Sequence, residues 1–157
     1  MVIACAMPMG AATAADSPTY LQLGAGAFDL FEENDGGGHR SAAGIAELRF
    51  GGKVLGIGPA LGVMANTDGG VFGFGGLYFD ITFGHIVITP LAAVGAYHEG
   101  DSKDLGGTLQ FRGSITAAYA FANRSRLGVE VGHISNAGLH DDNPGEEDAF
   151  ITYALPF

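Results

Sequence analysis

The chain has 157 residues, 47% of them hydrophobic and only 15% charged, with 27 glycines and a formal net charge of −10. That length holds one domain and little more, and the acidic balance argues against a surface built to neutralise nucleic-acid phosphates. No run reaches the ~20 consecutive apolar residues of a transmembrane helix. The apolar character therefore belongs to strands or to a buried core, and abundant Gly and aromatic residues favour strands.

In chain order, Met1 to Ala15 come first. They are small and apolar, and end in Ala12-Thr13-Ala14-Ala15, the A-x-A pattern of an export cleavage site. A positive n-region is missing and Pro8 interrupts the apolar stretch, so residues 1–15 read as the remnant of a signal peptide. Cys5 is the only cysteine and would leave with that remnant, so the mature chain has no disulfide or thiol chemistry.

Residues 16–157 read as a single β-barrel domain. Period-two patterns between turn residues predict eight strands, at about 18–31, 40–51, 54–66, 70–83, 85–98, 106–121, 125–136 and 147–157. The connections after strands two, four and six are very short: Gly51-Gly52-Lys53, Gly84 and Ala122-Asn123-Arg124. Those after strands one, three, five and seven are generally longer and polar, as in Glu32 to Gly38 and Glu99 to Asp104. Tight turns on one side and longer loops on the other are the habit of an outer-membrane barrel. A soluble β-sandwich or barrel is the alternative; it would leave the charged faces of strands two, six and seven to solvent.

Side chains alternate along a strand, so faces can be assigned. In strand six, Leu109, Phe111, Ile115, Tyr119 and Phe121 oppose Gln110, Arg112, Ser114 and Thr116. The first face suits lipid and the second a polar interior. Strands two, four and seven divide the same way, while strands three and five alternate poorly. Inside a barrel, Glu47, Arg49, Asp80, Arg112 and Glu130 would neutralise one another, as buried charges must. The expected fold is thus an all-β, eight-stranded, up-and-down antiparallel transmembrane barrel with a polar interior filled by side chains. Phe50, Phe83, Phe121 and Phe157 each end an even-numbered strand and would form an aromatic girdle, although Trp is absent. Gly24-Ala25-Gly26 and Gly73 to Gly76 lie inside strand patterns and lack the strand-to-helix context of a phosphate loop.

One stretch carries chemistry. His133 and Ser135 share a face of strand seven with Leu127, Val129 and Val131, and the parity of strand eight puts Glu147 with Ile151 and Phe157. Glu146 has the opposite parity. A base, a hydroxyl and a carboxylate on one outward patch near the outer rim are the parts of a serine hydrolase. Same-face neighbours stand about 7 Å apart at Cα, a gap that His and Ser side chains can close. Taken singly, each residue is more often an interfacial or solvated side chain; their convergence is what points to catalysis. The clusters His140-Asp141-Asp142 and Glu99, Asp101, Asp104 read first as solvated loops, and second as sites for bridging divalent cations. His98 could reach a lipid headgroup; His39 and His85 give no signal.

The run His133-x-Ser135-Asn136-Ala137-Gly138-Leu139, with Asn143-Pro144-Gly145, Glu147 and the terminal Pro156-Phe157, resembles the lipid A 3-O-deacylases of the PagL type. The resemblance implies an eight-stranded outer-membrane barrel with Ser135 as nucleophile, His133 as general base and then acid, and Glu147 as its orienter. It implies an oxyanion hole made by Asn136 and the backbone N–H of Gly138, a role for Asn136 that requires the strand to end there. The implied reaction hydrolyses the 3-position acyl ester of lipid A in lipopolysaccharide, with outer-membrane lipids as surroundings and no metal or cofactor. Val129, Val131, Ala149 and Ile151 would hold the acyl chain. Two other classes stay open, an inactive structural or adhesive outer-membrane barrel and a lipid acyltransferase. The sequence does not specify an oligomeric state.

Overall fold

The computed structural model describes residues 17–31 and 40–157. The expected signal remnant, Cys5, His39 and the acidic stretch 32–38 lie outside the described residues. The strands are β1 (Tyr20–Phe28), β2 (Ser41–Arg49), β3 (Ile57–Asn66), β4 (Val71–Phe79), β5 (Ile81–Phe83), β6 (Ile86–His98), β7 (Leu109–Ala120), β8 (Arg126–Ser135) and β9 (Glu146–Pro156). Every pairing is antiparallel, each crossing lies beside the next, and β1 pairs with β9 to close the ring. β4 and β5 are one crossing. Both pair with β6, Tyr78 facing Leu91 and Ile81 facing Ile88, so the register carries through Asp80. The result is a closed eight-stranded barrel, which leaves no unpaired strand edge to be satisfied in lipid.

The expected faces hold wherever the alternation was clear. Leu109, Phe111, Ile115 and Tyr119 are exposed on the outer wall, whereas Gln110, Arg112, Ser114 and Thr116 are buried inside. Leu61, Val63, Leu77, Val129 and Ile151 continue the apolar outside around the ring. Such a wall is unfavourable in water and suits the hydrocarbon of a bilayer. At the end where the strands turn tightly, Phe83, Phe121 and Phe157 are exposed as expected of a girdle, with Phe50 half-buried.

Inside, the expected polar filling is present and is joined by an apolar one. One layer is ionic: Arg49 binds Glu47 at 2.6 Å and Glu130 at 3.1 Å, and Arg112 binds Glu130 at 2.9 Å and Asp148 at 2.8 Å. Gln22 bridges Glu47 and Glu130, and Thr116 donates to Glu130. Asp80 belongs to a separate cluster near the tight-turn end, with Lys53 and Arg126. Toward the long-loop end the filling is apolar, built from Phe28, Met64, Phe72, Tyr97, Ile134 and Phe150. β4 shows why the sequence did not reveal this. Phe72 and Phe74 point inward while Gly73 points outward, so apolar bulk marks the inside there. Gly62 on β3 makes room, since a Cβ at that position would run into the Phe74 ring.

One connection differs from expectation. The turn after β2 runs through 50–56, because Val54 pairs back onto Ile57 around Leu55 and Gly56, both at positive φ. The loop after β3 spans 67–70, pinned by Asn66, whose side-chain oxygen accepts the N–H groups of Asp68 and Gly70. The loops 99–108 and 136–145 are long, as expected, and pack on each other.

Candidate active site

β8 runs Val131, Gly132, His133, Ile134, Ser135, and strict alternation decides what each side chain meets. Ile134 is fully buried among the interior apolar residues, so His133 and Ser135 must face out. On β9 the same logic acts through two carboxylates. Glu146 is buried and accepts the Asp29 N–H at 3.2 Å, and Asp148 is buried against Arg112. Glu147, between them, is therefore held on the outside. His133 and Glu147 face each other across the β8–β9 ladder, and His133 Nδ1 lies 3.2 Å from Glu147 Oε1. Their side chains are 52% and 42% exposed.

Gly145 supplies the space for this pair. It adopts φ 65°, and a Cβ there would stand 3.0 Å from His133 Cε1 and 3.5 Å from Nε2. With Nδ1 turned to Glu147, Nε2 is the nitrogen left to exchange a proton with a neighbour. Ser135 is half-buried two residues beyond His133 on the same face, opposite Phe111 of β7. Among the described residues no hydrogen bond joins Ser135 to His133.

Asn136 lies at the end of β8 with its side chain inside, fully buried. A buried amide has to find partners nearby. Its Nδ2 donates to the carbonyls of Leu105 at 2.9 Å and Asp142 at 2.6 Å, and its Oδ1 accepts the Gly138 N–H at 2.9 Å. The Asn136 N–H donates in turn to Asn143 Oδ1 at 3.0 Å. Ala137 and Gly138 both take positive φ, which turns the chain sharply out of the strand. Asn136 thus ties the 136–145 loop to the 99–108 loop, and the two donors expected of the oxyanion hole are engaged within the protein.

A shallow groove of about 490 Å³ adjoins the pair, lined by Gly113, Ile115, Val131, His133, Glu147 and Phe31. Gly113, Phe31, Gly145 and Asn143 were not assigned roles from the sequence. Gly113 is brought to His133 by the β7–β8 ladder, and Phe31, just beyond β1, lines the same groove, although both are remote in the chain. The other side chains considered lie elsewhere. His98, Glu99 and Asp104 line a rim pocket of about 200 Å³. His85 stacks on Tyr119 at 5.3 Å, and His140 lies against Gly107. Among the described residues no cluster of His, Cys, Asp and Glu is arranged to hold a metal ion.

A closed eight-stranded barrel, apolar outside, has the form of a membrane barrel, and here the His–Glu pair and the nearby serine lie on its outer wall. Residues 28–156 match the family model described as lipid A 3-O-deacylase (PagL), and the chain belongs to that family. It is similar to the lipid A deacylase PagL of Pseudomonas aeruginosa, 39% identical over 66 residues, which are 42% of this chain and 38% of that protein. It is also similar to the lipid A deacylase PagL of Bordetella bronchiseptica, 33% identical over 55 residues, 35% of this chain and 31% of that protein. The matched stretches therefore span well under half the length of these curated relatives. The structure described as the outer membrane enzyme PagL has the same fold, with a TM-score of 0.64 at 21% identity, covering 88% of this chain and 99% of that one.

Proposed function

We propose that this chain is an outer-membrane lipid A 3-O-deacylase, acting from the barrel wall at the level of the outer leaflet. The observation that carries the reading is the His133–Glu147 pair, 3.2 Å apart on an apolar outer wall, with Ser135 on the same face. Glu147 holds Nδ1 of His133, leaving Nε2 to take the proton of Ser135 Oγ as the oxygen attacks the ester carbonyl. The tetrahedral intermediate then expels the sugar oxygen, which receives that proton from His133. Water, activated by the same histidine, releases the 3-hydroxy fatty acid and restores Ser135. The route needs no metal or cofactor.

The oxyanion needs donors. In this proposal the Gly138 N–H turns from Asn136 Oδ1 to the substrate oxygen, and an Asn136 amide hydrogen leaves one of its carbonyl partners to join it. Such donors contribute about 3–4 kcal/mol to the transition state. The outward placement suits the substrate, since the acyl chains of lipid A lie along the wall and the ester comes to the residues without leaving the membrane.

The test is mass spectrometry of lipid A from cells expressing the parent chain or Ser135→Ala. The parent should remove one 3-linked acyl chain and the variant none. A parent that leaves a suitable lipid A intact sinks the reading, and transfer of the acyl group to another lipid would make the chain an acyltransferase instead.

A further inference from the structure

The groove beside His133 exists because one residue has no side chain. Gly113 faces outward on β7, directly across the ladder from His133. A Cβ built there meets nothing within 4 Å. Its same-face neighbours along β7 are Phe111 and Ile115, both bulky and exposed, and its partner on β6 is the small Ala92. The position is therefore a notch in an otherwise raised wall.

Barrel packing does not account for this glycine. Gly62 is filled by the Phe74 ring, and Gly128 by the backbone and side chain of Ala118, whereas nothing occupies the space at Gly113. Nor does the backbone require it, because Gly113 is not at positive φ. A strand glycine without either reason costs stability, by roughly 0.5–1 kcal/mol relative to Ala.

Ser135 faces Phe111, one same-face step along β7 from Gly113. A chain bonded to Ser135 Oγ and running toward the middle of the membrane crosses the notch. The sequence alone puts the acyl chain over Val129, Val131, Ala149 and Ile151, on the β8–β9 side. The groove extends beyond that side: it runs from Gly113 and Ile115 on β7 past Val131 and His133 on β8 to Glu147 on β9 and Phe31 beyond β1, and the notch is its β7 end.

We propose that Gly113 determines acyl-chain acceptance: the alkyl chain of the reacting ester lies in the notch it leaves beside His133. This rests on the deacylase reading and names the part of the site that holds the substrate's tail.

The experiment uses the folded barrel in detergent micelles, its folding checked by heat-modifiable migration. It compares the parent with Gly113→Leu, Gly113→Ala and Gly73→Leu. Gly73 is the matched control, an outward glycine on β4 whose added Cβ also meets nothing within 4 Å. Two esters are used: lipid A with its long 3-hydroxyacyl chain, and p-nitrophenyl acetate, whose acyl group is too short to reach the notch. Gly113→Leu should slow long-chain release by about tenfold or more, the scale on which a pocket discriminates one or two methylenes. Gly113→Ala should fall between it and the parent, acetate hydrolysis should persist, and Gly73→Leu should match the parent. If Gly113→Leu does not fold, Gly113→Ala carries the comparison. Unchanged long-chain release in a folded Gly113 variant, an equal loss on both esters, or the same loss from Gly73→Leu overturns the proposal. A parent that hydrolyses neither ester, indistinguishable from Ser135→Ala, fails the deacylase reading itself and the assignment of Gly113 with it.

Discussion

Glu146 and Glu147 are adjacent in sequence and opposite in surroundings. Glu146 is sealed inside, accepting the Asp29 N–H, while Glu147 stands on the outer wall against His133. Removing each should therefore do different damage. Glu147→Ala should lower the rate of acyl release by on the order of 10³–10⁴-fold, as loss of the acid does in other triads, with little change in unfolding. Glu146→Ala should leave a buried N–H without its acceptor, costing about 1–3 kcal/mol of stability, with most of the turnover per folded molecule retained. Rates in micelles set beside urea midpoints of the two variants separate these outcomes. If Glu146→Ala has the larger kinetic defect, the orienting role belongs to the wrong neighbour.

The strands are regular, and their connections hold the departures from pattern. In the turn after β2, Val54 and Ile57 close a two-residue bend in which Leu55 sits at φ 53° and is 97% exposed. A β-hairpin bend with both central residues at positive φ favours Asn-Gly, and this chain has Leu-Gly. Leu55→Asn should thus raise stability by about 1 kcal/mol, the scale of the left-handed penalty for an ordinary side chain. The check is the denaturant midpoint in micelles, with acyl release unchanged. A lower midpoint would mean that Leu55 gains more from its surroundings than its backbone loses. β4 teaches a related lesson about legibility. Its strand character and the facing of Leu77, Phe79 and Tyr78 were readable, but the apolar filling was not, because Phe72 and Phe74 line the inside while Gly73 faces outward.

Across the whole barrel, the outer wall is apolar and suited to lipid, while the inside is held by packing and ion pairing. Arg112 is the hub, fully buried and bonded to both Glu130 and Asp148. Arg112→Ala leaves two carboxylates buried without that partner and should destabilise the barrel by about 3–5 kcal/mol, measured as a lower urea midpoint and loss of the heat-modifiable band. A midpoint equal to the parent's would show that the layer contributes nothing net. The sequence by itself determined the strand number, the antiparallel order, the faces of β2, β7, β8 and β9, and the divergence of Glu146 from Glu147. These are local consequences of period-two alternation and turn chemistry. Only the tertiary structure decided the apolar half of the lumen, the fastening of Asn136 to Leu105 and Asp142, and the meeting of Gly113 and Phe31 with His133. Each of these depends on which residues oppose one another across the closed ring. Register and closure bring together positions far apart in the chain, and no local pattern encodes that meeting.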